Sequence, residues 1–257
     1  CSSDLINTRK IMRDYLLDLV EHTHGLGCID AVKITGTDEK TSIDGMEEGG
    51  RSVIVQGNFA TPITDFIGTF GMPNLSNLKT LLNISEYRED AKITINTQDR
   101  NGEKNVPVGL HFENKSGDFK NDYRFMVSEI VSEKLKTVKF KGANWNVEFE
   151  PTVASIQRLR MQSQANPDAE TFQCKTEDGN LVFYFGDHST HAGNFVFHSD
   201  IVGTLKKEWH WPVKHIINIL NLAGDKVIRI SDDGATEISV NSGLATYNYI
   251  LPARSNA

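Results

Sequence analysis

The chain has 257 residues, of which 39% are apolar and 24% are charged, and its formal net charge is −7. This length allows one large domain or two domains of ordinary size, and the composition is typical of a globular protein with a full hydrophobic core. We expect neither a membrane span, which needs about 18 consecutive apolar residues, nor a signal peptide, and the acidic balance argues against a nonspecific nucleic-acid coat.

The first half of the chain predicts a long helix, four short strands, a short helix and three further strands. In the long helix, apolar residues recur at three-to-four spacing from Ile11 to Val20, and Gly25 and Gly27 end it. Charged or glycine-containing turns separate the strands. The predicted helices cover 6–25 and 74–87, and the predicted strands cover 31–35, 41–46, 52–59, 65–71, 91–97, 106–114 and 122–129.

The second half predicts the same order of elements. Pro151 is suited to the first turn of a helix, and Asn166 followed by Pro167 ends that helix. A second short helix follows Pro212. The predicted long helix covers 151–168, and the predicted strands cover 171–177, 181–187, 194–200, 205–211, 226–231, 236–242 and 245–251.

This recurrence indicates a duplicated α+β domain. Leu16 and Leu159 lie 143 positions apart, and Leu82 and Leu220 lie 138 positions apart, so the offset between the halves is steady. We predict one domain over residues 1–129 and a second over 144–257. The segment 130–143 between them contains four lysines and is predicted to be an extended connector, partly an edge strand.

The charges of the chain are unevenly distributed. Counted over 7–25, 74–88, 152–166 and 212–224, the four predicted helices together hold eight basic and four acidic residues, whereas the whole chain is acidic. The helices of the second half contain no carboxylate at all, only basic and neutral polar side chains. Such faces attract a phosphate backbone without reading bases. The pattern therefore predicts one anion-attracting face on a protein whose remaining surface repels anions.

No catalytic constellation is evident. His188, His191 and His198 fit solvent-exposed loop histidines better than a metal site, because no further ligand completes a known spacing. The segment 231–237 resembles the start of a calcium loop but lacks the full pattern, and is better explained as a hairpin turn. Trp209 and Trp211 are expected in the core. A binding or scaffold role is favoured over an enzyme.

The three cysteines, Cys1, Cys28 and Cys174, are odd in number and far apart, and no C-x-x-C spacing occurs. Free thiols are therefore expected, as in a reducing compartment such as the cytoplasm.

Three segments resemble the DNA polymerase sliding clamps of the two-domain type, which include phage T4-like clamps and the proliferating-cell nuclear antigen (PCNA). They are DFIGTFGMPNLSNLKTLLNI, LKKEWHWPVKHIINILNLAGDKVIRIS and ATYNYILPAR. In that family each subunit has two copies of one fold, with two helices packed on curved antiparallel sheets. Three subunits close into a ring, and the helices line a hole through which DNA passes. The first helix of this chain is less basic than in the family.

The resemblance implies a processivity factor that encircles double-stranded DNA and tethers the replicative DNA polymerase. It implies no cofactor, an ATP-dependent clamp loader as a separate protein, and a homotrimer. The location would be the cytoplasm, that of a bacterial host cell if the chain is phage-encoded. The residues expected to face DNA are Arg9, Lys10, Arg13, Lys79, Arg158, Arg160 and Lys214.

The resemblance also implies a pocket for the terminal peptides of partner proteins, between the connector and the last strand. The expected pocket residues are Val131, Leu135, Leu251 and Pro252. Ring closure is expected to pair an edge strand with the neighbouring subunit, with 108–114 and 194–200 as candidates. The main alternative is a non-enzymatic, duplicated β-rich binding module or phage structural protein. A hydrolase is a third alternative, but the sequence does not show the clustered acids and histidines that a hydrolase needs.

Overall fold

The computed structural model describes residues 2–47, 49, 52–100, 102–135, 140–186 and 191–254, with side chains from Met12 onward. The chain divides into two compact units. Unit 1 consists of Cys1–Val138 with Ser242–Tyr247, and unit 2 consists of Lys139–Asn241 with Asn248–Ala257. The division along the chain falls inside the predicted connector 130–143, and a short segment near the C-terminus returns to unit 1.

Unit 1 contains a four-stranded and a three-stranded antiparallel sheet, with strand orders β4-β1-β2-β3 and β5-β6-β7. Three α-helices accompany them. The elements are α1 (Ser2–His22), β1 (Ala31–Gly36), β2 (Thr41–Met46), β3 (Ile54–Phe59), β4 (Gly68–Pro73), α2 (Leu75–Asn83), β5 (Lys92–Arg100), β6 (Glu103–Glu113), β7 (Lys120–Arg124) and α3 (Ser128–Lys134).

Unit 2 repeats this plan. Its strands form one sheet with the order β11-β10-β9-β12 and another in which β15, β14, β13 and β8 are successive neighbours. The elements are β8 (Val147–Phe149), α4 (Val153–Ala165), β9 (Thr171–Glu177), β10 (Asn180–Gly186), β11 (Ala192–His198), β12 (His210–Pro212), α5 (Val213–Leu220), β13 (Asp225–Ser231), β14 (Ala235–Asn241) and β15 (Ala245–Pro252).

The two short helices are buried through the same spacing of apolar residues. In α2 the buried side chains are Leu75, Leu78, Leu81 and Leu82, and in α5 they are Val213, Ile216, Ile219 and Leu220. Each residue of the second set lies 138 positions after its counterpart in the first. Burial of each such side chain contributes about 1.5–3 kcal/mol to folding. None of the helices in the described part of the chain is long and apolar enough to cross a membrane.

The α+β prediction is confirmed, and so is the repeated order of a long helix, four strands, a short helix and three strands. The Asp233-Gly234 turn between β13 and β14 is the predicted hairpin, with Gly234 at a φ of 81°. Two elements that the sequence did not predict are β8 and α3. The long helix also begins earlier than predicted, at Ser2.

The predicted strand 205–211 is wrong over most of its length, since only β12 from His210 onward is a strand. The backbone N–H groups of Lys206 and Lys207 donate to the carboxylate of Asp232 instead of to a strand. Trp209 also donates its indole N–H to the Asp232 carbonyl, at 2.8 Å, and is half-buried, whereas Trp211 is in the core as predicted. Contacts distant in sequence therefore overrode the alternating pattern.

The prediction of an extended connector is wrong for its first residues, because α3 covers Ser128–Lys134. Met126, just before α3, exchanges two backbone hydrogen bonds with Gly71 of β4. A Cβ atom on Gly71 would lie 2.9 Å from Val131 Cγ2 and 3.3 Å from Leu135 Cδ1. The absence of a side chain at Gly71 thus lets α3 pack directly on β4. Residues 136–139 of the connector lie outside the described residues.

A buried polar cluster in unit 1 joins α1 to the returning segment 242–247. The Asp18 carboxylate accepts hydrogen bonds from Ser242 Oγ at 3.0 Å and from the Tyr247 hydroxyl at 2.8 Å. His22 Nδ1 lies 3.3 Å from the same carboxylate, and the His22 ring stacks on Tyr247 with centroids 4.6 Å apart. Burial alone raises the pKa of Asp18, but the hydrogen bonds from His22, Tyr247 and Ser242 and the charge of His22 outweigh it and lower that pKa below its ordinary value.

We expect Asp18→Asn to lower the free energy of unfolding by about 1–3 kcal/mol near pH 7, because the buried donors lose a charged acceptor. A folded-state pKa below the unfolded one makes the contribution of Asp18 fully present above the unfolded value and lost as pH falls through the folded one. The difference between wild type and Asp18→Asn should therefore shrink below about pH 4. Urea unfolding across this pH range measures both effects.

Asp14→Asn is the matched control, because Asp14 is an exposed carboxylate on the same helix. It should change stability by less than about 0.5 kcal/mol. Equal effects of the two substitutions, or a pH-independent effect of Asp18→Asn, would contradict this account of the cluster.

Candidate nucleic-acid interface

The long helix of unit 2, α4, has one packed face and one solvent-exposed face. Ser155 and Leu159 are buried, and the helix contacts β11 and α5. Thr152 caps the N-terminus, since its hydroxyl accepts a hydrogen bond from Ser155 N at 3.0 Å. The cap and the packed face fix which side chains of α4 point away from the sheets.

The exposed face formed by α4 and α5 carries no carboxylate, since neither helix contains an Asp or a Glu. Arg158 and Lys214 are exposed cations, and no hydrogen bond or ion pair joins either side chain to another residue in the described ranges of the chain. The exposed residues of the two helices are Val153, Ala154, Gln157, Arg158, Arg160, Met161, Gln164, Ala165 and Lys214. Such a face can attract a polyanion without a strong specific contact.

Arg160 is exposed but tied to the neighbouring helix. Its guanidinium donates a hydrogen bond to Asn221 Oδ1, and Asn221 is the C-terminal cap of α5. Arg158 and Arg160 lie about 200° apart around the helix axis, so they flank its exposed crest on opposite sides. The structure thus separates two arginines that the sequence placed in one group.

In unit 1, the side chain of Arg13 is held by a contact with α2. It is half-buried, and its guanidinium donates to the carbonyl oxygen of Leu82 at 2.8 Å. Leu82 lies in the last turn of α2, where carbonyl groups lack helical partners. Arg13 Nε is buried and makes no hydrogen bond to any residue that the structure describes. Arg13 therefore stabilises the C-terminal end of α2, a role that helical periodicity alone could not reveal.

The remaining predicted DNA-facing residues of unit 1 are Lys79, Arg9 and Lys10. Lys79 is exposed on α2. Arg9 and Lys10 lie in α1, but their side chains lie outside the described residues. The exposed side chains of the described part of α1 include Asp14 and Glu21. Because the helix begins at Ser2, it also contains Asp4, and its net charge is −1 with four acidic and three basic residues.

The predicted pocket residues fall in both units. In unit 1, Val131 is buried against Gly71, and Leu135 is half-buried beside it. In unit 2, Leu251 is buried and Pro252, at the end of β15, is exposed. The nearest exposed apolar side chain on α3 is Ile130, which is 40% exposed and was not singled out from the sequence.

The strand edges correct one sequence-based expectation. The segment 108–114 lies mostly in β6, whose residues from Gly109 to Glu113 pair with both β5 and β7. A strand bonded on both sides cannot pair with another subunit. The segment 194–200 lies mostly in β11, which pairs only with β10 within the described sheet. In the three-stranded sheet the edge strands are β5 and β7.

Cys28 and Cys174 are free thiols, as predicted. Cys174 is buried, and Trp211 donates its indole N–H to the sulfur at 3.1 Å. Burial raises the pKa of Cys174 to about 12, so its thiol is unreactive at neutral pH. Of the three histidines, His191 is exposed and His198 is half-buried against Phe149, while His188 lies outside the described residues.

No family model matches the chain, and no curated protein matches it. Solved structures do. The PCNA of A. fulgidus, solved with the C-terminal region of FEN-1 bound, matches with a TM-score of 0.69 and 10% identity, over 95% of this chain and 97% of that one. The PCNA of Thermococcus kodakaraensis matches with a TM-score of 0.66 and 13% identity, over 94% and 96% of the two chains. Along nearly its whole length, the chain has the duplicated α+β fold of PCNA.

Proposed function

We propose that the chain is a DNA sliding clamp, a processivity factor that encircles duplex DNA and tethers a DNA polymerase. The observation that carries the proposal is the carboxylate-free face of α4 and α5, on a fold like that of PCNA and in a chain whose net charge is −7. The sequence resemblance to phage T4-like clamps supports the same function and a phage origin.

The proposed mechanism is topological and needs no covalent chemistry. A closed ring holds duplex DNA because the duplex cannot leave the ring sideways. The contacts inside the ring therefore need only be weak and independent of base sequence. Exposed cations such as Lys79, Arg158 and Lys214 supply contacts of this kind. The acidic remainder of the chain repels DNA from the other surfaces. Ring opening would belong to a separate ATP-dependent loader.

The ring we propose is a homotrimer, and the internal repeat suggests which strands close it. Within unit 1, a Cβ atom on Gly57 of β3 would lie 3.0 Å from Cδ1 of Tyr247, so β3 lies close to the returning segment 242–247, which holds the first residues of β15. The counterpart of β15 in the first copy is β7, and the counterpart of β3 in the second copy is β11. We therefore propose that β7 of one subunit pairs with β11 of the next, head to tail.

Partner docking is proposed at the connector and the C-terminal strand. The A. fulgidus PCNA structure contains the C-terminal region of FEN-1, which indicates that this fold can hold a terminal peptide. In unit 1, Leu135 retains exposed surface and Val131 is buried beside it; in unit 2, Pro252 retains exposed surface and Leu251 is buried. The partners we propose are the cognate polymerase and the clamp loader.

Topological retention is the direct test of the proposed function. Loaded onto nicked circular DNA by the cognate loader and ATP, the protein should elute with the DNA in gel filtration. Linearisation by a restriction enzyme should release it, because a sliding ring leaves through the free ends. Retention on linear DNA equal to that on circles, or no retention on either, would refute the proposal.

The trimer should have a mass of about three times 28.7 kDa by light scattering. Val196→Asp, in β11, should shift it toward the monomer, because a carboxylate buried in a strand pairing lacks a partner. Val202→Asp is the control, since Val202 is 86% exposed in a loop. A wild-type monomer at micromolar concentration, or equal dissociation by both variants, would contradict the proposed closure.

Peptide docking can be tested with the C-terminal peptides of the DNA polymerases encoded in the same genome. Leu135→Asp should weaken binding of the cognate peptide at least tenfold, because a charge replaces an apolar contact. Ser132→Asp is the matched control on the exposed face of α3. Unchanged affinity of Leu135→Asp in a fluorescence polarisation titration would remove this site.

A further inference from the structure

The exposed crest of the described part of α1 is acidic. Asp14 and Glu21 are both exposed and lie seven residues apart, which places them on the same side of the helix, two turns from each other. The opposite side of the helix is buried through Leu16 and Leu19. Between Met12 and His22, where its side chains are described, α1 therefore presents negative charge to solvent along this crest.

Among the described side chains of α1, the one lysine or arginine is Arg13, and it is bonded to α2. Arg13 is half-buried, and its guanidinium is bonded to the Leu82 carbonyl of α2. With one of its nitrogens bonded to the helix end and its side chain half-buried, Arg13 has fewer donors and less freedom for contact with a phosphate than an exposed arginine has. Among the described side chains of α1 and α2, Lys79 is thus the exposed lysine or arginine.

The exposed faces of the unit 2 helices carry positive rather than negative charge. The crest of α4 carries the neutral side chains Gln157, Met161 and Gln164, and Arg158 lies on its flank. In α5, Lys214 is exposed. With Arg160 the two helices have a net charge of +3 and no acidic residue. An anion that approaches these helices meets attraction and no competing carboxylate on either helix.

We propose that DNA in the ring is contacted unevenly by the two units, through Arg158 and Lys214 of unit 2, while the Asp14–Glu21 crest of unit 1 weakens the contact. This inference rests on the proposed clamp function and specifies which residues of the same site bind phosphate. Arg13 acts as a positioning residue for α2, and its charge is not part of the phosphate contact. Such a ring binds DNA weakly on one half of each subunit and more strongly on the other.

The experiment measures binding of the intact oligomer to a fluorescein-labelled duplex by anisotropy, over a series of salt concentrations. Each phosphate contact contributes about 0.9 to the slope of log K against log salt. Arg158→Gln with Lys214→Gln should lower the affinity and reduce the slope by about 1 or more. Asp14→Asn with Glu21→Gln should raise the affinity at every salt concentration, because it removes repulsion.

Two controls separate charge from structure. Lys40→Gln removes an exposed lysine in the turn between β1 and β2, outside every helix, and should leave both affinity and slope unchanged. Arg13→Gln should lower the melting temperature with an unchanged slope, and Arg13→Lys should restore part of the stability. Light scattering confirms that each variant remains oligomeric.

The inference is overturned if Asp14→Asn with Glu21→Gln leaves affinity unchanged or lowers it, or if the Arg158 and Lys214 variant binds as the wild type does. It is also overturned if Arg9→Gln with Lys10→Gln reduces the slope as much as the unit 2 variant. Each of these results is compatible with normal retention on circular DNA. Failure of retention would instead remove the clamp function itself.

Discussion

The packing of one short helix, repeated in each unit, is the constraint on which the other features depend. The two short helices, α2 and α5, bury the same face through apolar residues at the same spacing. These residues are Leu75, Leu78, Leu81 and Leu82 in α2 and their counterparts from Val213 to Leu220 in α5. Once this face is fixed, the opposite face must be exposed, and the C-terminal end of the helix must find partners for its carbonyl groups. An arginine of the neighbouring long helix reaches that end in both units: Arg13 donates to the backbone carbonyl of Leu82, and Arg160 donates to the side-chain oxygen of Asn221, the C-terminal cap of α5. The two units thus share a helix pair with a common mode of attachment.

The same packing separates the basic residues into two groups with different roles. A guanidinium committed to a helix end contributes to stability, as Arg13 does, whereas an exposed cation without a partner among the described residues, such as Arg158 or Lys214, remains available to a ligand. The sequence alone could not separate these groups, because both kinds of arginine occupy polar positions of an amphipathic helix. The charge balance of α1 also depends on where the helix begins, since the residues before Ile6 add Asp4.

Local patterns predicted most of the fold, and contacts distant in sequence account for the differences. The order of helices and strands was predictable because periodicity, proline and glycine act within a few residues. The segment 205–211 alternates like a strand, yet Asp232 binds its backbone N–H groups. The connector became helical at Ser128–Lys134 because Gly71, far away in sequence, leaves room for Val131 and Leu135. The hydrogen bond from the Tyr247 hydroxyl to the Asp18 carboxylate, which ties the returning segment to α1, had no sequence signal at all.

The structure corrects the choice of strands that could pair between subunits. Alternation of apolar and polar residues indicates a strand but does not say whether its neighbours are on one side or both, so β6 and β11 looked equivalent. In the structure β6 is paired on both sides, and the last strand of the first copy is β7. β7 is an edge strand of the three-stranded sheet, and β11 is an edge strand of the sheet that also contains β9, β10 and β12. Of the two segments chosen from the sequence, only 194–200 in β11 therefore keeps an unpaired edge in the described sheets.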